Sequence, residues 1–244
     1  MMATTSESGT TGDAGGAGAQ TLSRGLRAIE ILAEAPRPLS IAALARALDV
    51  HRSSAYRVLR SLEAHRFVVR DDAGLIRLGP KLTALARGVA PSLTSAAQHP
   101  LAELAETVGM TAFITVLDAD EVITLASAEP ASVPATISRS PGVRHPIDRG
   151  APGHAIESGL TPDAHERLFG DPDPTPAAAA AQRSGYSLTE GEVIDGVVAI
   201  AVPLTIAGEP PAAVAVVHFS TPDDVASVVA DLHRTADRIA RNYR

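Results

Sequence analysis

Apolar residues recur at helical spacing through the first third of the chain. Leu22, Leu26, Ile29 and Ala33 predict a helix between Thr21 and Ala35, which Pro36 and Pro38 stop. Ser40 reads as an N-cap, and Ile41, Leu44, Ala45 and Leu48 line one face of a shorter second helix. After the tight connection Asp49-Val50, Ala55, Val58, Leu59 and Leu62 fall at i, i+3, i+4 and i+7 and predict a third. The runs Phe67-Val68-Val69-Arg70 and Leu75-Ile76-Arg77-Leu78 flank Asp71-Asp72-Ala73-Gly74, the pattern of a β-hairpin. Three helices and a hairpin, closed by Gly79-Pro80, predict a winged helix-turn-helix over residues 21–80.

Beyond it, Leu82, Leu85 and Val89 start a helical stretch interrupted at Pro91. Leu93, Ala97, Leu101, Leu104 and Val108 carry the pattern to Gly109, a C-cap, so residues 81–108 read as a helical linker. The β-rich runs Thr111–Leu117 and Glu121–Ala128 follow, with Val133–Ile137 as a further candidate strand. Pro152–Ser158 reads as a short helix, and Thr161-Pro162-Asp163 as the N-cap, first-turn proline and acid of another. Val197–Ile206 and Ala212–Phe219 make a second hairpin around Ala207-Gly208-Glu209. The last helix starts at Thr221-Pro222-Asp223-Asp224, with Val225, Val228, Val229, Leu232, Ala236 and Ile239 as its stripe. Hairpins separated by helices predict an antiparallel α+β domain over residues 109–244. Residues 1–20, rich in Ser, Thr, Gly and Ala without periodicity, read as a disordered tail.

Composition narrows the chemistry. Cysteine is absent, which excludes disulfides, thiolate metal sites and a cysteine nucleophile. Aromatic residues are 3%, too few for base-stacking platforms. No apolar run reaches the ~20 residues of a membrane span, and no signal peptide is evident, so a soluble cytoplasmic protein without a membrane partner is expected. The formal net charge of −7 is divided unevenly: residues 21–81 carry +5 and residues 82–244 carry −10. A small basic module on a larger acidic body suggests a polyanion-binding front end.

The third helix carries the strongest chemical signal. Opposite its apolar stripe lie Ser53, Arg57 and Arg60, with Arg52, Ser54 and Tyr56 beside them. Arginine engages guanine edges bidentately, while hydroxyls and helix N-termini hold phosphate. Ser40 and, in the hairpin, Arg77 complete the candidate DNA contacts. Catalytic motifs are missing: no Gly-x-Ser-x-Gly, glycine-rich phosphate loop or His-Glu-x-x-His occurs. No catalytic residue, metal site or cofactor is expected. Of the histidines, only His145, His154 and His218 are candidates to meet in space, and polar or hydrogen-bonded roles suit them better than a metal.

The stretch "SRGLRAIEILAEAPRPLSIAALARALDVHRSSAYRVLRSLEAHRFVVRD" resembles the winged helix-turn-helix of the IclR family of bacterial transcription regulators. Further on, "GVRHPIDRGAPGHAI", "RSGYSLTEGEVIDGVVAIAVPL" and "AAVAVVHFSTP" resemble, in order, segments of that family's effector-binding domain. The resemblance spans roughly residues 21–242. It implies a GAF-like C-terminal domain, dimers or tetramers, a palindromic or pseudo-palindromic operator and a small-molecule effector. It also implies effector contacts at Ala151, Pro152, Gly153 and His154, at Thr189, Glu190 and Ala199, and at Ala215 and Val217.

Departures from the family pattern matter. Its Pro-Lys-Ser-Thr helix start is His51-Arg52-Ser53-Ser54 here, and its Ala-x-Gly-Lys-Ala loop is Ala151-Pro152-Gly153-His154-Ala155. Its frequent pocket cysteine falls in Gly196-Val197-Val198-Ala199, and its last-strand serines are Ala215 and Val217. With methyl groups on the strands and backbone N–H groups near Gly153 to receive an anion, the expected effector is a partly apolar carboxylate or carbonyl compound. The alternative class is a metabolite-processing enzyme with an appended DNA-binding module.

Overall fold

A computed structural model describes residues 14–133 and 135–243. They form two compact units divided between Val89 and Ala90. In the first, α1 (Ala14–Glu34), α2 (Ile41–Ala47) and α3 (Arg52–Ala64) precede the antiparallel hairpin of β1 (Val68–Arg70) and β2 (Ile76–Leu78), followed by α4 (Lys81–Ala86). Ala28, Leu32, Leu44, Leu59, Val68 and Ile76 make its core. Ser40 Oγ caps α2 by accepting from Ala43 N at 3.2 Å.

Two expectations change here. α1 begins at Ala14, inside the segment read as a disordered tail, because its alanines favour helix and run on into the amphipathic part; residues 1–13 of that tail lie outside the described residues. On α1 the buried positions are Ala28 and Leu32, while Leu22 and Leu26 are 65% and 53% exposed.

The second unit contains α5 (Pro91–Val108), β3 (Thr111–Asp118), β4 (Glu121–Ala128), β5 (Arg144–Pro146), α6 (Ala151–Ser158), α7 (Pro162–Phe169), α8 (Pro176–Ser184), β6 (Ser187–Glu190), β7 (Val198–Leu204), β8 (Ala212–His218) and α9 (Val225–Asn242). The strands form one antiparallel sheet in the order β5-β4-β3-β8-β7-β6. One face, with Ile114, Val116, Ile200, Val202, Val214 and Val216, packs with Leu101 and Leu104 of α5 and Leu232 and Ile239 of α9. The other face carries Phe113, Ala201, Ala213, Ala215 and Val217 and packs with Ala151, Ala155 and Ile156 of α6. Both faces are covered, so the central strands read as unbroken apolar runs despite their antiparallel pairing. α5, expected as linker, is thus part of the second unit's core, and only α4 of the predicted 81–108 helix belongs to the first. Among the described residues of Val133–Ile137 no strand forms; Pro134 lies outside them, and the edge strand is Arg144–Pro146 instead.

A buried polar clamp ties α6, α7 and α8 together. Glu157 Oε1 accepts from His165 Nε2 at 3.0 Å and Thr175 N at 2.6 Å, and its Oε2 accepts from Thr175 Oγ1 at 2.8 Å. His165 Nδ1 also donates, to the Asp171 carbonyl at 2.5 Å. Burial alone would lower the His165 pKa, but the Asp171 carbonyl and the Glu157 carboxylate together raise it.

Candidate functional site

The first unit presents α3 as a reading surface. At its start, His51 Nδ1 accepts from Ser53 N at 3.3 Å and lies 2.9 Å from Ser53 Oγ, so this nitrogen bears the lone pair. Ala55, Val58, Leu59 and Leu62 are buried, while Arg52, Ser53, Tyr56, Arg57 and Arg60 are exposed and Ser54 is half-buried at the edge. Arg52, Arg57 and Arg60 form no ion pair among the described residues. With no acid in the first turn, Arg52 sets a cation at the positive end of the helix dipole, an unfavourable place that a phosphate would relieve. In the hairpin, Arg77 is exposed opposite Val69. Arg70 is instead tied to Glu63 of α3 at 2.9 Å. Ser40 uses its oxygen as the α2 cap and keeps its hydroxyl proton for another acceptor.

In the second unit a cavity of about 30 Å³ lies beside the start of α6. Phe113, Val197, Ala199 and Val217 form its apolar side, and Val193 and Ile194, 40% and 44% exposed, contribute a thin cover. The polar side holds Arg139, His145, Thr189 and Glu192. Glu192 clasps the helix start: its Oε2 accepts from Gly150 N at 2.7 Å and pairs with His154 Nε2 at 3.0 Å. Arg149 Nη2 donates to the Glu192 carbonyl at 2.6 Å, and Ala151 N donates to Thr189 Oγ1 at 3.0 Å. Gly150 has φ 84°, and a Cβ there would stand 2.7 Å from Val193 Cγ2. Three buried polar atoms of this region have no hydrogen-bond partner among the described residues: Arg139 Nε, His145 Nε2 and His154 Nδ1. Burial lowers the Arg139 pKa. Burial lowers that of His145 too, assisted by the Arg139 charge and opposed by the carbonyls of Pro146 and Arg149.

Comparison with known proteins supplies the context for these two sites. The IclR helix-turn-helix domain matches residues 21–72. The probable transcriptional regulator SauR of Cupriavidus necator is 27% identical over 247 residues, covering 90% of this chain and 95% of that protein. An IclR transcriptional regulator from Alicyclobacillus acidocaldarius shares the fold with a TM-score of 0.78 at 23% identity, over 92% of this chain and 99% of that one. An IclR homologue from Microbacterium hydrocarbonoxydans, solved with 4-hydroxybenzoate, gives a TM-score of 0.76 at 24% identity, over 92% and 99% of the two chains. The chain carries an IclR helix-turn-helix domain at residues 21–72 and resembles IclR regulators over about nine-tenths of its length. It is a transcriptional regulator of IclR type, and no helix of the described residues is long and apolar enough to cross a membrane.

Not every expected effector contact of this IclR-type chain lies at the cavity. Pro152, Thr189, Ala199 and Val217 line it. Ala151 is buried outside its lining, and its N–H bonds to the lining residue Thr189. Gly153 serves packing: a Cβ there would meet the Ile147 carbonyl oxygen at 2.0 Å. His154 is engaged by Glu192, and Ala215 pairs across the sheet with Phe113 in the closed core. Glu190 is exposed, because β6 alternates and turns Ser187 and Thr189 inward instead. The backbone N–H groups expected to receive an anion are already used at Gly150 and Ala151, and Pro152 has none.

Sequence reading missed Phe113, Arg139, Glu192, Val193 and Ile194, and singled out His145 only as a histidine that could meet His154 and His218. No local period marks these positions, and finding them required the fold. His218, at the end of β8, is bonded to Ser220, and no group of three or more potential metal ligands forms among the described residues.

Proposed function

We propose that this regulator reads a palindromic or pseudo-palindromic operator through α3 as a homodimer or a pair of dimers, and that a small organic effector in the α6 cavity tunes that binding. The observation that carries the reading is the α3 face: three exposed arginines without acidic partners among the described residues, backed by a buried stripe. Arg57 and Arg60 reach base edges, while Arg52, Ser53, Ser54, Tyr56, Ser40 and Arg77 hold phosphates. Two such helices about 34 Å apart match successive major-groove turns.

An apolar groove on the first unit supports the dimer. It measures about 460 Å³ and is lined by Leu22, Leu26 and Ile29 of α1 with Val58, Leu62 and Phe67. Outside the groove, α4 presents the exposed Leu85 and the half-buried Leu82. A second copy offers the same patch, as an isologous contact requires.

For the effector, the cavity's apolar side with a few polar groups suits a partly apolar carboxylate or carbonyl compound. The relative solved with 4-hydroxybenzoate is of the same fold. The test is a gel shift with DNA flanking the gene for this chain. Arg57→Ala and Arg60→Ala should each lose about 1–3 kcal/mol, roughly 5–150-fold in affinity. Wild-type affinity in both variants would remove α3 as the reading helix.

A further inference from the structure

Arg139 is a charged side chain with no ion pair or hydrogen bond among the described residues. It lies in the segment before β5, is 6% exposed, and has no hydrogen bond at Nε. Its guanidinium carbon stands 5.3 Å from the Phe113 ring centre, on the cavity wall. A ring face attracts a cation but repays only part of the cost of taking a guanidinium out of water. Glu192, the acidic residue of the same wall, forms no ion pair with it; its Oε2 instead holds Gly150 N and His154 Nε2. Burial lowers the Arg139 pKa and no acid opposes it. His145, 5% exposed, adds a second unpartnered atom, Nε2, to this wall. An unpaired buried cation facing a cavity is costly unless something else completes it.

We propose that Arg139 makes the cavity selective for organic monocarboxylates: the ligand's carboxylate pairs with the guanidinium, and its apolar part lies against Phe113, Val197 and Val217. This rests on the reading of the cavity as the effector site. The anion goes to Arg139 and not to the start of α6, where Glu192 already supplies a carboxylate. About 30 Å³ is room for little more than a water or two. A larger acid must therefore push aside Val193 and Ile194, the two exposed side chains over the cavity.

The experiment uses the full chain and two matched pairs, benzoate with benzamide and hexanoate with hexanamide, in thermal melting. The acids should bind wild type roughly 10–100-fold more tightly than their amides, the range for a hydrogen bond to a charged group. At a hundredfold excess over Kd they should raise the melting temperature by about 5–10 °C. Arg139→Gln should erase the difference between acid and amide, and Arg139→Lys should keep part of it. Without ligand, Arg139→Met should melt higher than wild type, since the unpaired charge is gone.

Equal stabilisation by acid and amide leaves the cavity a ligand site but overturns the anion selectivity. An acid preference that survives in Arg139→Gln overturns the assignment to Arg139. If no probe moves the wild-type melting, the effector reading falls together with this inference, while the gel shift still decides DNA binding on its own.

Discussion

Gly153 illustrates how a single missing Cβ sets the architecture around the cavity. The start of α6 packs against the backbone at Ile147 so closely that any side chain at Gly153 would overlap a carbonyl oxygen. Backbone cannot rotate away as a flexible side chain can, so Gly153→Ala should destabilise by about 1–3 kcal/mol. A urea melt that leaves the midpoint unchanged would refute that close approach. Arg77 belongs to a different kind of residue, exposed and unconstrained on the hairpin. Its replacement by alanine should weaken binding to all DNA sequences alike and reduce the slope of log K against log salt by about one, the mark of a lost phosphate contact. A slope equal to that of wild type would exclude Arg77 from the interface.

At the scale of elements, the Glu157–His165–Thr175 clamp joins three helices that share little apolar surface, since α7 buries only His165 and α8 only Ala178 and Ala181. Both His165 nitrogens face acceptors, so the folded state favours the protonated ring. Its contribution is therefore complete below the unfolded-state value near ~6.5 and is lost as pH rises through the higher folded value. Melting temperature should fall on that alkaline side, and His165→Asn should flatten the fall; an unchanged profile would show that the ring carries no proton there. His145, whose pKa burial lowers, acts in the opposite direction and costs stability as pH drops below ~6.5. The same scale explains the elements that periodicity missed. The alanine run of α8 has no polar–apolar contrast, and β6 turns polar residues inward because Thr189 bonds to the start of α6.

For the whole molecule, assembly is the property that exposed apolar groups forecast. Leu22 and Leu26 stand on the open side of α1, so Leu22→Glu with Leu26→Glu should leave the circular dichroism spectrum intact. Sedimentation should nevertheless show weakened self-association. A wild-type chain that sediments as a monomer at micromolar concentration, or a double variant that associates as tightly, would dismiss the groove as an interface.

The local pattern along the chain already determined the winged helix-turn-helix, the buried stripe of α3 with its arginine face, the β3–β4 and β7–β8 hairpins and the capped starts of α7 and α9. These follow from periods of 3.6 and 2 and from residues that satisfy helix ends, all interactions spanning a few positions. Tertiary structure decided the rest: that α5 is core instead of linker, that Ala215 and Gly153 are packing residues, and that Glu192 holds the start of α6. It also decided that Arg139 meets Phe113, 26 positions away in the chain. Such contacts depend on sheet order and on which side chains compete for one buried volume, and no short-range period encodes either.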